Sequence, residues 1–122
     1  MAHALIVDDD HDGREPIAHV LRRAGHEVTC ASDAREALAV LTGQTPSVVI
    51  LDLMMPEMDG TQLLEVIRSY LRWQSIPVIV VSGADGPLLE KASSLEPVKV
   101  YRKAQYSLKD LLDTVNEVTG TA

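Results

Sequence analysis

Four clusters of charged or hydroxyl-bearing residues stand directly after apolar runs in this chain. Asp8-Asp9-Asp10 follows residues 4–7, Asp52 follows 48–51, and Ser82-Gly83 follows 76–81. Arg102-Lys103 follows the run 98–101. Carboxylates gathered in one pocket repel, so either their pKa values rise or a cation neutralises them. With no cysteine or paired histidine beside them, all-oxygen ligands suit a hard divalent ion such as magnesium, which keeps open positions for a phosphate oxygen. Lys103 adds a fixed positive charge and Ser82 a hydroxyl that hydrogen-bonds an anion. Together these groups have the chemistry of phosphoryl transfer, where positioning and charge neutralisation supply most of the catalysis. Taken singly, each has a plainer reading. An acidic run after a strand is also what a solvated loop or a helix start selects, and Asp52 could simply cap a turn.

The elements that must position these residues are legible in the pattern of apolar residues. Of the apolar runs 4–7, 48–51, 76–81 and 98–101, three barely alternate, as in strands covered on both faces, and a weaker run spans 27–31. Helical spacing separates them. Ile17, Val20, Leu21 and Ala24 mark a first helix that stops at Gly25. A second starts at Ser32-Asp33, with Glu36 in capping-box position, and buries Ala34, Ala37, Leu38 and Leu41. A third starts at Asp59, with Gln62 in reciprocal position, and presents Leu63, Ile67, Tyr70 and Leu71. A short helix covers 87–95. The last starts at Ser107, paired with Asp110, and presents Leu108, Leu111, Leu112, Val115 and Val118. Strict alternation of strand and helix predicts an α/β fold with a doubly wound parallel sheet, whose ligands lie beyond the carboxyl ends of the strands.

Composition narrows the function classes. The 122 residues suit one domain, 1–122, with no linker, repeat or effector domain expected. Apolar residues make up 46% but Phe is absent, so Leu, Val, Ile and Ala must fill the core. The single cysteine, Cys30, cannot form an intramolecular disulfide and reads as a small buried hydrophobe. No stretch approaches the ~18 consecutive apolar residues of a membrane span, and no secretory signal opens the chain, so the expected location is the cytoplasm. The formal net charge of −7 argues against nucleic-acid binding and favours a protein partner with a basic or mixed surface. His3, His11, His19 and His26 share no metal-ligand spacing. Trp73 reads as a packing or partner contact near the end of the third helix.

At this point the residues match a family. From Leu5 to about Val118 the chain resembles the receiver domain of two-component response regulators. The strongest match is the run from Val49 through Asp52 to Asp59-Gly60, in which Asp52 is followed by Met55-Pro56 and then Asp59-Gly60. Asp8-Asp9, Ser82-Gly83 and Lys103 complete the set in order. The resemblance implies a flavodoxin-like fold, five parallel strands in order 2-1-3-4-5 flanked by five helices. It implies Asp52 as phosphoacceptor and a magnesium ion held by Asp8, Asp9, Asp52 and the main-chain carbonyl of Met54. It implies Ser82 and Lys103 on the phosphoryl group, and Gly83 keeping the entrance open. The partner would be a sensor histidine kinase or a histidine phosphotransfer protein. The output face would be formed by the fourth helix, fifth strand and fifth helix, which could also carry a homodimer.

The last third departs from that pattern. Lys103 is followed by Ala104-Gln105 where the family has proline and then an aromatic. A non-proline cis bond costs about 2.5–4 kcal/mol, so this loop is expected to be trans or reshaped. The aromatic expected three residues before the lysine is Val100. Tyr101, one place later, points to the opposite face and is the candidate output switch, with Tyr106 as another. A competing reading is therefore a pseudo-receiver that works as a protein-interaction module without phosphorylation. An aspartate-nucleophile phosphatase ranks last, because Met54 stands where a second Asp belongs. A dinucleotide site lacks its glycine fingerprint.

Overall fold

A computed structural model describes residues 2–121. Strands and helices alternate along the whole chain: β1 His3–Val7, α1 His11–Arg23, β2 Glu27–Ala31, α2 Ala34–Gly43, β3 Val48–Leu51, α3 Gly60–Ser69, β4 Val78–Ser82, α4 Gly86–Ser93, β5 Lys99–Arg102 and α5 Leu108–Thr119. The five strands are all parallel, in the order β2-β1-β3-β4-β5. Both expectations, the doubly wound α/β class and the order 2-1-3-4-5, agree with the structure. Among the described residues, no helix is long and apolar enough to cross a membrane.

The alternation of side chains along each strand divides the core in two. Leu5, Val7, Val49, Leu51, Val78 and Val80 face α2, α3 and α4, with Leu41, Leu63, Leu64, Ile67 and Ala92 packed over them. Ala4, Ile6, Val48, Ile50, Ile79 and Val81 face α1 and α5, under Ile17, Leu21, Leu111 and Val115. Every residue of β1, β3 and β4 is buried, which is why these runs hardly alternate, whereas the edge strands β2 and β5 are only partly covered.

Side-chain caps set the helix starts. Asp59 accepts the Gln62 N–H at 3.0 Å while the Gln62 side chain accepts the Asp59 N–H at 2.9 Å, the reciprocal pair expected from the sequence. Asp33 accepts the Glu36 N–H at 2.8 Å, but the Glu36 carboxylate reaches back to the Ser32 N–H, one residue earlier than a capping box requires. Ser107 caps α5 through the Asp110 N–H.

Several boundaries differ from expectation, those of α4, β5 and α3 among them. α4 ends at Ser93 rather than 95, and β5 begins and ends one residue later than the apolar run. α3 ends at Ser69, so Tyr70 and Leu71 do not join its buried face. Tyr70 turns extended, Leu71 is 85% exposed, and the indole of Trp73 is buried in their place against the Tyr70 ring. The Arg68 guanidinium secures this exit by donating to four carbonyls, those of Gln74, Ile76, Leu95 and Glu96.

The N-terminus of α3 lies directly on the backbone that carries Asp52. A β carbon at Gly60 would sit 2.7 Å from Leu53 Cα and closer still to the Asp52 carbonyl oxygen. Alanine is the better helix former, yet Gly60→Ala should destabilise the domain by about 1–3 kcal/mol, the range for overpacking. A urea titration that showed an unchanged or raised midpoint would refute this.

Candidate functional site

Parallel pairing of β1 with β3 puts Val7 opposite Leu51, so the residues that follow each strand emerge side by side. The Asp52 N–H still donates to the Val7 carbonyl at 2.9 Å, and the Asp8 N–H to that of Ala31 at 3.0 Å. Both side chains therefore leave a fixed backbone. Carboxylate oxygens of Asp8, Asp9 and Asp52 all lie within 4.8 Å of one another. Asp8 and Asp52 are each 4% exposed, while Asp9 faces solvent.

From the far side of the sheet's C-terminal edge, Lys103 reaches the two buried carboxylates. Its Nζ stands 3.2 Å from Asp52 Oδ2 and 3.4 Å from Asp8 Oδ2. The other oxygens are also engaged. Asp8 Oδ1 accepts the Asp10 N–H at 2.9 Å, and Asp52 Oδ1 accepts the Met54 N–H at 3.2 Å. Burial pushes the Asp8 carboxyl above its ordinary range, aided by the Asp52 charge; the Asp10 N–H and Lys103 oppose the rise without cancelling it. For Lys103, burial alone would lower the pKa, but Asp52 and Asp8 outweigh it, so the ammonium stays charged.

Ser82 ends β4 beside this group. It is 2% exposed, its Oγ accepts the Ala84 N–H at 3.1 Å, and its carbonyl accepts the Lys103 N–H at 3.0 Å. A β carbon at Gly83 would meet nothing within 4 Å, so space around it is open. Met54 is largely exposed on the loop after Asp52. Tyr101 faces α5 rather than α4. Its ring lies 5.7 Å from that of Tyr106, its hydroxyl donates to the Asp110 carbonyl at 3.2 Å, and it shares a 2.6 Å hydrogen bond with Thr114. Val100 packs on the opposite face with the α2–α4 core. No peptide bond is cis among the described residues, and Ala104 takes a left-handed φ of 68°. The loop is trans, with a left-handed residue directly after the lysine.

Of the four histidines, His3 and His26 are buried in polar contacts with Thr29 and Asn116, and His11 is exposed beside Asp12 and Glu15. Two further residues shape the site without having been singled out by their sequence pattern. Arg14 donates to the Asp8 carbonyl at 2.9 Å and holds the turn after β1. Gly13 leaves room for the ion pairs: a β carbon there would stand 2.9 Å from Asp8 Oδ2 and 3.6 Å from Lys103 Nζ. A glycine in a first helical turn was the available signal for the second.

The chain matches the family model described as the response regulator receiver domain over residues 4–116, and it belongs to that family. It is 34% identical over 119 residues to the sensory transduction protein RegX3 of Mycolicibacterium smegmatis, covering 97% of this chain and 50% of that protein. To protein PilG of Pseudomonas aeruginosa it is 30% identical over 112 residues, covering 91% of this chain and 82% of PilG. The chain thus spans about half the length of the first of these curated relatives. Among solved structures it is similar to the chemotaxis protein CheY4 of Vibrio cholerae, at 29% identity and a TM-score of 0.86 with 97% and 98% of the two chains covered. A response regulator receiver protein from Pseudomonas putida is similar at 31% identity and a TM-score of 0.87, with 94% and 95% covered.

The raised Asp8 pKa has a definite consequence for stability. A carboxyl whose folded pKa lies above its unfolded value stabilises the fold below the unfolded value, near 3.8, and loses that contribution as pH rises through the folded one. In metal-free buffer, Asp8→Asn should therefore be more stable than the parent at neutral pH, and the gain should vanish as pH falls below that ordinary value. Chemical denaturation across pH checks both halves; a variant less stable than the parent at pH 7 contradicts the sign.

Proposed function

We propose that this receiver domain takes a phosphoryl group onto Asp52 from a phosphohistidine on a sensor histidine kinase or a histidine phosphotransfer protein. The observation that carries the reading is the buried Asp52 carboxylate, 3.2 Å from the Lys103 ammonium and clustered with two further carboxylates. An Asp52 oxygen attacks phosphorus in line with the leaving imidazole nitrogen, forming a P–O bond as the P–N bond breaks. Lys103 neutralises charge on the transferring group. The Ser82 hydroxyl accepts from Ala84 and keeps its own hydrogen to donate to a phosphoryl oxygen.

The donor set fits a small hard divalent cation, because all three side chains offer oxygen, two are buried, and one side of the cluster meets solvent through Asp9. Asp8, Asp9 and Asp52, with the Met54 main-chain carbonyl, would hold magnesium, whose chemistry there is neutralisation of phosphoryl charge. As a switch, the domain promotes its own phosphorylation and dephosphorylation and turns over no separate substrate.

The phosphorylated side chain carries more negative charge than a carboxylate and new acceptor oxygens. Closure of Ser82, Gly83 and the following loop onto them would shift the surface of α4, β5 and α5, which then changes its contacts with a downstream protein or with a second copy. Residues 1–122 would act as one receiver unit, in the cytoplasm, with protein rather than nucleic-acid contacts, as the net charge of −7 supports. The reshaped loop after Lys103, and the attachment of Tyr101 to α5, favour as the second reading a receiver-shaped module that binds its partner without phosphorylation.

Intact mass after incubation with a small-molecule phosphoryl donor separates the two. The expected result is one phosphoryl adduct that requires magnesium and is absent from Asp52→Asn. No adduct from a small donor or from a cognate kinase would leave the binding module as the function.

A further inference from the structure

Ala104 is exposed, yet it sits at a φ of 68°, a region that L-residues other than Asn and Asp seldom occupy. Its methyl group is in solvent, so the conformation is held by what the backbone does around it. The Gln105 N–H donates to the Arg102 carbonyl at 3.0 Å, closing a four-residue turn with Lys103 and Ala104 at its centre. A positive φ at the second central position is the mark of a type II turn, a place usually given to glycine or asparagine. Proline, whose ring holds φ near −65°, cannot stand there.

The first central residue of the turn is Lys103. Its N–H is bound to the Ser82 carbonyl at 3.0 Å, and its side chain runs back over the sheet edge to Asp52 and Asp8. We propose that Ala104 is a positioning residue: its left-handed conformation reverses the chain immediately after β5 and so aims the Lys103 ammonium between the two buried carboxylates. The role of that ammonium in phosphoryl transfer rests on the function proposed above, but its aim at the carboxylates does not.

A series at Ala104, measured in the parent and in a Lys103→Met background, tests this. Gly and Asn accept positive φ, whereas β-branched Val resists it. Ala104→Gly should melt a few degrees above the parent, and Ala104→Val below it. The rate of phosphoryl-adduct formation should be kept by Gly and Asn and fall by about ten- to a hundredfold in Val, the scale of loss when a charged group is displaced by about an ångström. In Lys103→Met, Val should cost less thermal stability than in the parent and slow the adduct no further. Equal melting losses in the two backgrounds, or an additional slowing by Val without the lysine, overturns the proposal. Coupled melting losses with no adduct in any protein, the parent included, would keep the positioning role and overturn the phosphoacceptor role of Asp52 instead.

Discussion

Three carboxylates crowd the C-terminal edge of the sheet and one ammonium pairs with only two of them, an imbalance that the surrounding strands hold in place. Like charges at such distances repel strongly once water is excluded. Asp8 and Asp52 cannot move apart, because each follows a strand whose last hydrogen bonds run to its neighbour. The strands cannot slip either. β1 and β3 are buried on both faces, and a shift of one residue would exchange their two side-chain sets between the α2–α4 layer and the α1–α5 layer. Burial of the Asp8 carboxyl, with the Asp52 charge adding to it, shows in its raised pKa.

This constraint links the fold to the chemistry. Under the proposed function, a site with surplus negative charge would gain from a hard cation, and a cation bound there would draw phosphoryl oxygens toward Asp52. Lys103 alone does not balance the pocket. It is, however, the only element of the site delivered from the edge strand, and its position depends on the Ser82 carbonyl and on the turn through Ala104. The same turn ties the site to α5, since the Tyr106 ring packs at a tilt against Tyr101, whose hydroxyl is bound to that helix.

How much of this was legible in the sequence depends on the range of the forces involved. The inner strands could be read because burial on both faces leaves an unbroken apolar run, and the acidic and hydroxyl residues stand directly after those runs. The cap of α3 could be read because Asp59 and Gln62 contact each other within one turn. The end of α3 could not, since the helical spacing continues through Tyr70 and Leu71. What stops the helix is Arg68 binding carbonyls up to 28 residues away, together with burial of Trp73. Gly13 gave only a faint signal, a glycine in a first helical turn: its lack of a side chain matters because a β carbon there would stand 2.9 Å from the Asp8 carboxylate that pairs with Lys103. The side taken by Tyr101 followed from counting residues along the strand, whereas the left-handed φ of Ala104 is a tertiary outcome that no local preference of alanine announces.

The central claim, that Asp8, Asp9 and Asp52 form one divalent-cation site, is tested most directly by titrating the isotopically labelled protein with manganese and following paramagnetic broadening of its amide signals. Saturable broadening is expected, centred on residues 8–10 and 52–54, weaker at 82–84 and 103, and reversed by excess magnesium. Broadening spread over exposed acidic positions such as Asp12, Asp113 and Glu117, without saturation, would contradict it.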